Sequence, residues 1–290
     1  MKKIRKRILK ILAIILSIFV IITILLCIVS APRGKTNPTK ITMHEAGIQN
    51  EKICLLIHPS LVYWDYFEYV VPHLEDNYHV LIPALPGYDK ENPDCNFTSI
   101  EQIAAGIEEW LNENKITKVD AIYGCSMGGS IVLKLLANQN VKIENAYIDG
   151  GITPYKEPWI FTRWIALTDF SLMWMGKLGG IDLLEKAFAT DEYSKEDLEY
   201  VAEVFDFVSN RTLWNTFDSC NNYKMPKKMP ALSTKIEYWY AESEYKERKK
   251  DFNFMNKAFP ATEFIEMENL GHAGMALFRP AEMAERICKE

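Results

Sequence analysis

The sequence lacks any pattern of cysteines that would crosslink a small domain or hold a metal ion. Its six cysteines include no Cys-x-x-Cys pair, and no Cys/His cluster is present. Irregular, unpaired spacing argues against a disulfide framework and against a structural zinc site. We therefore expect no metal and no cofactor, and we interpret Cys54 and Cys125 as buried structural thiols.

The first 31 residues lack acidic side chains, and the rest of the chain lacks a basic excess. The first segment carries six lysines and arginines, whereas the whole chain has a formal net charge of −6. Everything after residue 31 therefore carries −12. Nucleic acid binding needs a basic face, so an acidic body argues against nucleic acid as a partner.

Only one long apolar run is present, at residues 11–29, and it is interrupted only by Ser17 and Thr23. As a helix it would measure roughly 28 Å, which matches the hydrocarbon core of a bilayer. Apolar regions of signal peptides are usually about 7–15 residues long, so we expect a single-pass anchor in the cell membrane. Val29 and Ala31 would suit a cleavage site, which leaves secretion after cleavage as the alternative.

The flanking charges predict how this anchor is oriented. Six basic residues in the tip, residues 1–10, precede the run, and three follow it. This asymmetry predicts a cytoplasmic N-terminus and an extracellular body. Residues 30–40, with two prolines and one glycine, are typical of an exposed linker, and residues 41–290 are expected to form the folded domain.

Short apolar runs alternate with amphipathic stretches along the rest of the chain. The runs predicted as strands are Ile53–Ile57, Val80–Ile82, Val119–Tyr123, Ala146–Ile148, Ile236–Tyr240 and Glu263–Met267. The predicted helices are Trp64–Leu74, Ser99–Lys115, Gly129–Asn138, Arg248–Phe259 and Pro280–Cys288. Such alternation predicts an α/β fold, with a mostly parallel central sheet and helices on both faces.

Residues 152–230 break this alternation, because they contain helical patterns but no convincing strand. Ser194 and Asp197 have capping-box spacing and predict a helix that continues through Val208. We interpret the segment as a helical cap or lid. It holds four of the seven tryptophans, which indicate either an apolar substrate group or simple packing of the lid on the sheet.

The strongest chemical signal is the motif Gly124-Cys125-Ser126-Met127-Gly128, between a predicted strand and a predicted helix. A serine in such a sharp turn has its hydroxyl exposed above the sheet. The glycines allow the strand and the helix to approach each other closely. We therefore predict that Ser126 is a nucleophile.

With this motif and its flanking elements, the chain resembles the α/β-hydrolase family, in particular a serine esterase with an added membrane anchor. The resemblance extends from about Ile53 to Cys288. It implies that His272, which follows the last predicted strand, is the catalytic base.

The resemblance also implies a catalytic acid, for which two candidates remain. Glu244 follows the strand that precedes His272 and lies 28 residues before it, whereas Asp149 ends the strand after the nucleophile helix. A glutamate would hold the imidazole tautomer as an aspartate does. Glu244 is preferred, although a solvated Glu244 and a turn-capping Asp149 are the structural alternatives.

The same resemblance implies an oxyanion hole built from two backbone amides. One is the amide of Met127, directly after the nucleophile. The second comes from the segment after the first strand, where Pro59 replaces the glycine that is usual in the family. Proline has no N–H, so the donor is expected to be Ser60, or Leu61 in its place. His58 is interpreted as a residue that supports this loop.

Together these features imply a carboxylesterase- or lipase-like hydrolase that cleaves an ester, thioester or amide bond through an acyl-enzyme. Its substrate is expected to be a small molecule with an apolar acyl or aromatic group. Epoxide and haloalkane hydrolases of this fold use aspartate as nucleophile, so Ser126 argues against those reactions. An acyltransferase and a catalytically inactive, membrane-tethered binding protein are the alternatives.

Overall fold

The computed structural model describes residues 2–29, 38–154, 158–187 and 194–289. Seven strands form one sheet in the order β1-β3-β2-β4-β5-β6-β7. Their bounds are β1 Thr42–Ala46, β2 Ile53–Ile57, β3 His79–Ala84, β4 Lys118–Cys125, β5 Lys142–Asp149, β6 Lys235–Ala241 and β7 Glu263–Met267. All neighbouring pairs are parallel except β1 with β3, so the predicted mostly parallel sheet is confirmed.

The α-helices among the described residues follow the strands in alternation. They are α1 Lys2–Val29, α2 Val71–Leu74, α3 Ile100–Glu113, α4 Met127–Asn138, α5 Trp159–Ala187, α6 Lys195–Phe207, α7 Asn210–Asn222, α8 Lys249–Ala258, α9 Met275–Phe278 and α10 Pro280–Cys288. Ser99 caps α3, because its side chain accepts a hydrogen bond from the Gln102 amide.

Buried side chains on both faces of the sheet explain the apolar runs in the sequence. Successive residues of a strand point to opposite faces. Leu55 of β2 packs in one cluster with Ile103 of α3, whereas Leu56 packs in a second cluster with Met283 of α10. The sheet is therefore covered on both faces, as its sequence predicts.

Two local predictions differ from the structure. The edge strand β1 was not predicted. The predicted helix Trp64–Leu74 is divided into a 3₁₀ turn, Trp64–Phe67, and the short helix α2. Pro72 causes the division, because it has no N–H to donate back to the preceding turn and is favoured at the start of a helix.

Three helices, α5, α6 and α7, lie between β5 and β6 and are called here the helical insertion. Its predicted capping box is present, since Ser194 and Asp197 exchange side-chain and backbone hydrogen bonds at the start of α6. A buried ion pair joins α5 to α7, with 2.6 Å between Arg163 Nη1 and Asp218 Oδ1. The described part of residues 152–230 contains no strand.

The amino-terminal helix α1 includes both the basic tip and the apolar run. Residues Ile4–Val29 are long and apolar enough to cross a membrane, a property shared by anchors and signal sequences. Most of the predicted linker, residues 30–37, lies outside the described residues.

Candidate active site

Ser126 occupies a strained turn between β4 and α4. Its φ of 50° and ψ of −111° lie outside the regions that L-residues ordinarily adopt. The backbone N–H of Ser126 donates a hydrogen bond to the carbonyl of Asp149, at 2.8 Å, which fixes the turn against the end of β5. Strain of this kind persists where the surrounding structure holds it, and it is concentrated at functional sites.

The glycines around Ser126 are required by close backbone contacts. A Cβ atom on Gly128 would lie 2.2 Å from the Ile57 carbonyl oxygen, and one on Gly124 would lie 2.4 Å from the Gly128 carbonyl oxygen. Neither site has space for a methyl group. The start of α4 therefore packs directly on the carboxyl ends of β2 and β4.

His272 lies in the loop between β7 and α9, beside this turn. A Cβ atom on Gly150 would lie only 3.0 Å from its Cε1 atom. Since Gly150 follows Asp149, the imidazole lies one residue away from the backbone that holds Ser126. The hydroxyl of Tyr66 donates to the Ala273 carbonyl at 2.6 Å and so holds the histidine loop against the 3₁₀ turn.

Glu244 lies next to His272, in the short 3₁₀ turn that follows β6. Its Oε1 atom is 3.0 Å from His272 Nδ1. Burial alone would raise the pKa of Glu244, but the hydrogen bond and charge of His272, together with Arg248, lower it to about 2. Glu244 is therefore ionised at neutral pH and holds one nitrogen of the imidazole.

Arg248 is a member of this site that the sequence did not single out. Its buried guanidinium lies 2.6 Å from Glu244 Oε1 and 3.6 Å from Asp251 Oδ2. Asp251 in turn accepts hydrogen bonds from the backbone and side chain of Thr153, just beyond β5. The sequence holds one signal for this role: Arg248 lies four residues after Glu244 and three residues before Asp251, and both spacings allow ion pairs.

Asp149, the alternative acid, is buried at the end of β5 with a different partner. The Tyr123 hydroxyl donates to Asp149 Oδ2 at 2.6 Å. Burial raises the pKa of Asp149, whereas this hydrogen bond and the nearby His272 lower it, with a net upward shift. The structure thus brings Glu244, rather than Asp149, into hydrogen-bonding distance of His272.

The two predicted oxyanion donors come from neighbouring segments. Met127 is the first residue of α4, where backbone N–H groups have no partner within the helix. The loop containing Ser60 follows β2, which packs against Gly128. Its next residue, Leu61, has a positive φ of 64°, which turns the backbone sharply at this point.

His58 supports this loop, as its position suggested. Its Nδ1 lies 2.7 Å from the Pro59 carbonyl oxygen, and its Nε2 accepts from the Leu85 amide at 3.4 Å. Burial lowers the pKa of His58 to about 4, so the ring is neutral at physiological pH.

Comparison with known families identifies the fold. A model of the alpha/beta hydrolase family matches residues 54–286, which is most of the chain. The chain belongs to the α/β hydrolase family. A search of curated proteins found no match to this hydrolase.

Solved structures of several activities share the fold. An α/β hydrolase family protein from Desulfitobacterium hafniense is 21% identical with a TM-score of 0.67, over 86% of this hydrolase and 99% of that chain. An esterase from Exiguobacterium antarcticum is 16% identical with a TM-score of 0.68, over 86% of this hydrolase and 94% of that chain. A bromoperoxidase from Bacillus anthracis is 16% identical with a TM-score of 0.67, over 86% and 95%. At these identities the likeness establishes the fold and not the reaction.

Proposed function

We propose that this α/β hydrolase is a serine hydrolase that cleaves an ester, thioester or amide bond through an acyl-enzyme. Ser126 is the nucleophile, His272 the general base and Glu244 the acid. The observation that carries the proposal is the 3.0 Å contact between His272 Nδ1 and Glu244 Oε1, beside the strained turn of Ser126.

The first half of the reaction forms the acyl-enzyme. Nε2 of His272 accepts the Ser126 proton while Oγ attacks the carbonyl carbon, and the amides of Met127 and Ser60 stabilise the oxyanion. The imidazolium then protonates the leaving alcohol, thiol or amine as its bond to carbon breaks. In the second half, water loses a proton to His272 and attacks the acyl carbon. The acyl–Oγ bond then breaks, and the imidazolium returns the proton to Ser126 Oγ, which releases the acid and the free enzyme.

The partners of the two acidic residues support Glu244 as the acid. Glu244 contacts Nδ1 of the imidazole, which leaves Nε2 available toward the serine. Asp149 instead accepts the Tyr123 hydroxyl at the end of β5. In this assignment Asp149 has a structural role, because its backbone carbonyl also holds the Ser126 amide.

The proposal includes membrane attachment through α1, with a cytoplasmic N-terminus and an extracellular catalytic domain. The basic tip before the apolar run and the length of that run support this orientation. Packing of α1 on the helical insertion supports a retained helix rather than a cleaved one. The substrate is proposed to be a small molecule with an apolar acyl or aromatic group.

Labelling with a fluorophosphonate tests the nucleophile directly. The folded protein is expected to gain one adduct, located by peptide mass spectrometry on Ser126, and Ser126→Ala is expected to gain none. A panel of p-nitrophenyl esters of increasing acyl length then reports the preferred acyl group, with Ser126→Ala as the blank. An unlabelled Ser126 in folded protein would overturn the proposal.

A further inference from the structure

The last turns of helix α1 pack along one side against the helical insertion. The Phe19 ring stacks on Trp164 of α5, with centroids 4.9 Å apart and planes 3° from parallel. Trp164 Nε1 also donates to Thr23 Oγ1 at 3.1 Å, and Leu26 is buried in a cluster with Trp214 of α7. Positions three or four apart lie on one helix face, so a continuous stripe of α1 contacts the insertion.

This contact places α5 beside the membrane span. Phe19 lies ten residues before Val29, which corresponds to roughly 15 Å along the helix axis. With residues 11–29 across the bilayer, a position that rests on the proposed anchor, Phe19 lies near the midplane. Trp164 contacts both Phe19 and Thr23, so it lies beside the hydrocarbon core between the midplane and the outer side. The start of α5 is therefore at a depth that only apolar surface tolerates.

The exposed surface of α5 is apolar, as a helix beside the hydrocarbon core of a bilayer has to be. Between residues 161 and 180, every exposed position is uncharged: Phe161, Thr168, Leu172, Trp174, Met175, Leu178 and Gly179. An ordinary surface helix carries charged side chains on its outer face. Among the charged residues of this stretch, Arg163 is buried against Asp218, Asp169 is only partly exposed, and Lys177 donates to the Val208 carbonyl.

The apolar surface continues the stripe that contacts α1. Trp164 and Met175 are eleven residues apart, as are Leu167 and Leu178, and eleven residues correspond to about three turns of an α-helix. Trp164 and Leu167 pack in the cluster around α1, whereas Met175 and Leu178 are exposed. One face of α5 thus contacts the membrane helix at its start and is exposed three turns later.

We propose that this face of α5, formed by Phe161, Leu172, Trp174, Met175 and Leu178, is a membrane-docking surface. It lies in the outer leaflet of the same bilayer that α1 crosses, and the lipid acyl chains cover it. Burial of large apolar side chains among the acyl chains provides the binding free energy, as it does on the apolar face of amphipathic helices that lie on membranes.

Photo-crosslinking of the full chain in vesicles of phosphatidylcholine and phosphatidylglycerol tests this surface. Benzoylphenylalanine is introduced in three separate variants: at Leu178, at Ile14 in α1, and at Ile48 in the turn between β1 and β2. The three native side chains are 67%, 59% and 71% exposed, so each substitution leaves the core unchanged. Ile48 is the matched control, because its turn precedes β2 and so lies at the amino ends of the parallel strands, whereas Ser126 lies at their carboxyl ends.

Mass spectrometry of the irradiated protein is expected to show several-fold more lipid adducts at residues 178 and 14 than at residue 48. Adducts at 14 with only the control level at 178 would overturn the docking surface and leave the anchor intact. Control levels at both positions would overturn the proposed anchor. A crosslink from residue 178 to a second copy of the chain would assign the face to a dimer and also overturn the inference.

Discussion

The Glu244 carboxylate lies between two cationic partners, the His272 imidazole when protonated and the Arg248 guanidinium. Arg248 Nη2 is also 3.3 Å from His272 Nδ1. An arginine has no acceptor and is always charged, so it competes with the imidazole for the same oxygen. Arg248 thereby fixes the carboxylate in position while offsetting part of the charge that stabilises the imidazolium.

Exchange of each candidate acid for its amide separates their roles. We expect Glu244→Gln to lower kcat by about 10³- to 10⁴-fold, because the amide no longer holds the catalytic tautomer of His272. Asp149→Asn still accepts from Tyr123 and is expected to change kcat by less than about tenfold. Steady-state hydrolysis of the best p-nitrophenyl ester measures both, and the reverse ranking would assign the acid to Asp149.

The lowered pKa of Glu244 also predicts how stability depends on pH. A carboxylate whose pKa falls from 4.5 to about 2 on folding stabilises the protein above pH 4.5, and this contribution is lost as the pH falls toward 2. We expect Glu244→Gln to reduce the free energy of unfolding by about 2 kcal/mol at pH 7, with allowance for partial exposure.

Urea unfolding of the wild type and Glu244→Gln at several pH values checks this expectation. The difference between the two should shrink as the pH falls from 4.5 to 2.5. A difference that stays the same over the whole range would show that Glu244 is not paired as the structure indicates.

At the scale of elements, the junction of β2, β4 and α4 depends on backbone contacts that exclude side chains. Gly128→Ala would place a methyl carbon 2.2 Å from the Ile57 carbonyl oxygen. Separation of α4 from β2 would relieve this contact and would displace the Met127 amide. We expect a loss of about 1–3 kcal/mol in stability, together with loss of fluorophosphonate labelling.

Gly271→Ala is the matched control, because it adjoins His272 and a Cβ atom there meets nothing within 4 Å. We expect its unfolding temperature and labelling rate to remain close to those of the wild type. An equal loss of stability and labelling in both variants would contradict this prediction. It would show that any glycine near the site is sensitive to alanine, whether or not a Cβ atom there would clash.

The same junction shows which elements can be predicted from sequence. Both faces of β2 are buried, so its sequence is continuously apolar, and β4 has the same character from Ala121 onward. Such runs allow both strands to be placed inside the sheet from the sequence alone. The edge strand β1, Thr42–Ala46, is only partly buried and contains His44 and Glu45. It therefore has no apolar run from which a strand could be predicted. Around Pro72 the apolar periodicity of residues 64–74 continues without a break, so the pattern predicts one helix where the proline divides it.

The residues of the candidate site also differ in how far the sequence identifies them. Ser126 and His272 sit in motifs whose local backbone is part of the signal, and Glu244 was identified through its order in the family. Arg248 required three-dimensional information, because a cluster of basic residues usually points to solvent. Only the fold turns Arg248 inward between Glu244 and Asp251.

At the scale of the whole molecule, an extracellular catalytic domain can be tested with a native cysteine. Cys95 is exposed, whereas Cys54, Cys125 and Cys220 are buried. A membrane-impermeant maleimide added to intact spheroplasts is expected to label the wild type and to label Cys95→Ser several-fold less. The physical reason for this expectation is the charge asymmetry around α1, which favours a cytoplasmic basic tip in the proposed topology.

Recovery of the labelled chain from the membrane pellet, only after lysis, or from the medium distinguishes an outward domain, an inward domain and a cleaved α1. Labelled protein in the membrane pellet after carbonate washing agrees with an outward domain on a retained α1. Labelling that requires lysis would place the domain inside, against the charge asymmetry, and labelled chain in the medium would mean that α1 is cleaved. In that last case Trp164 and Trp214 would lose their cover of Phe19 and Leu26, so a cleaved form is also expected to be less stable than the anchored one.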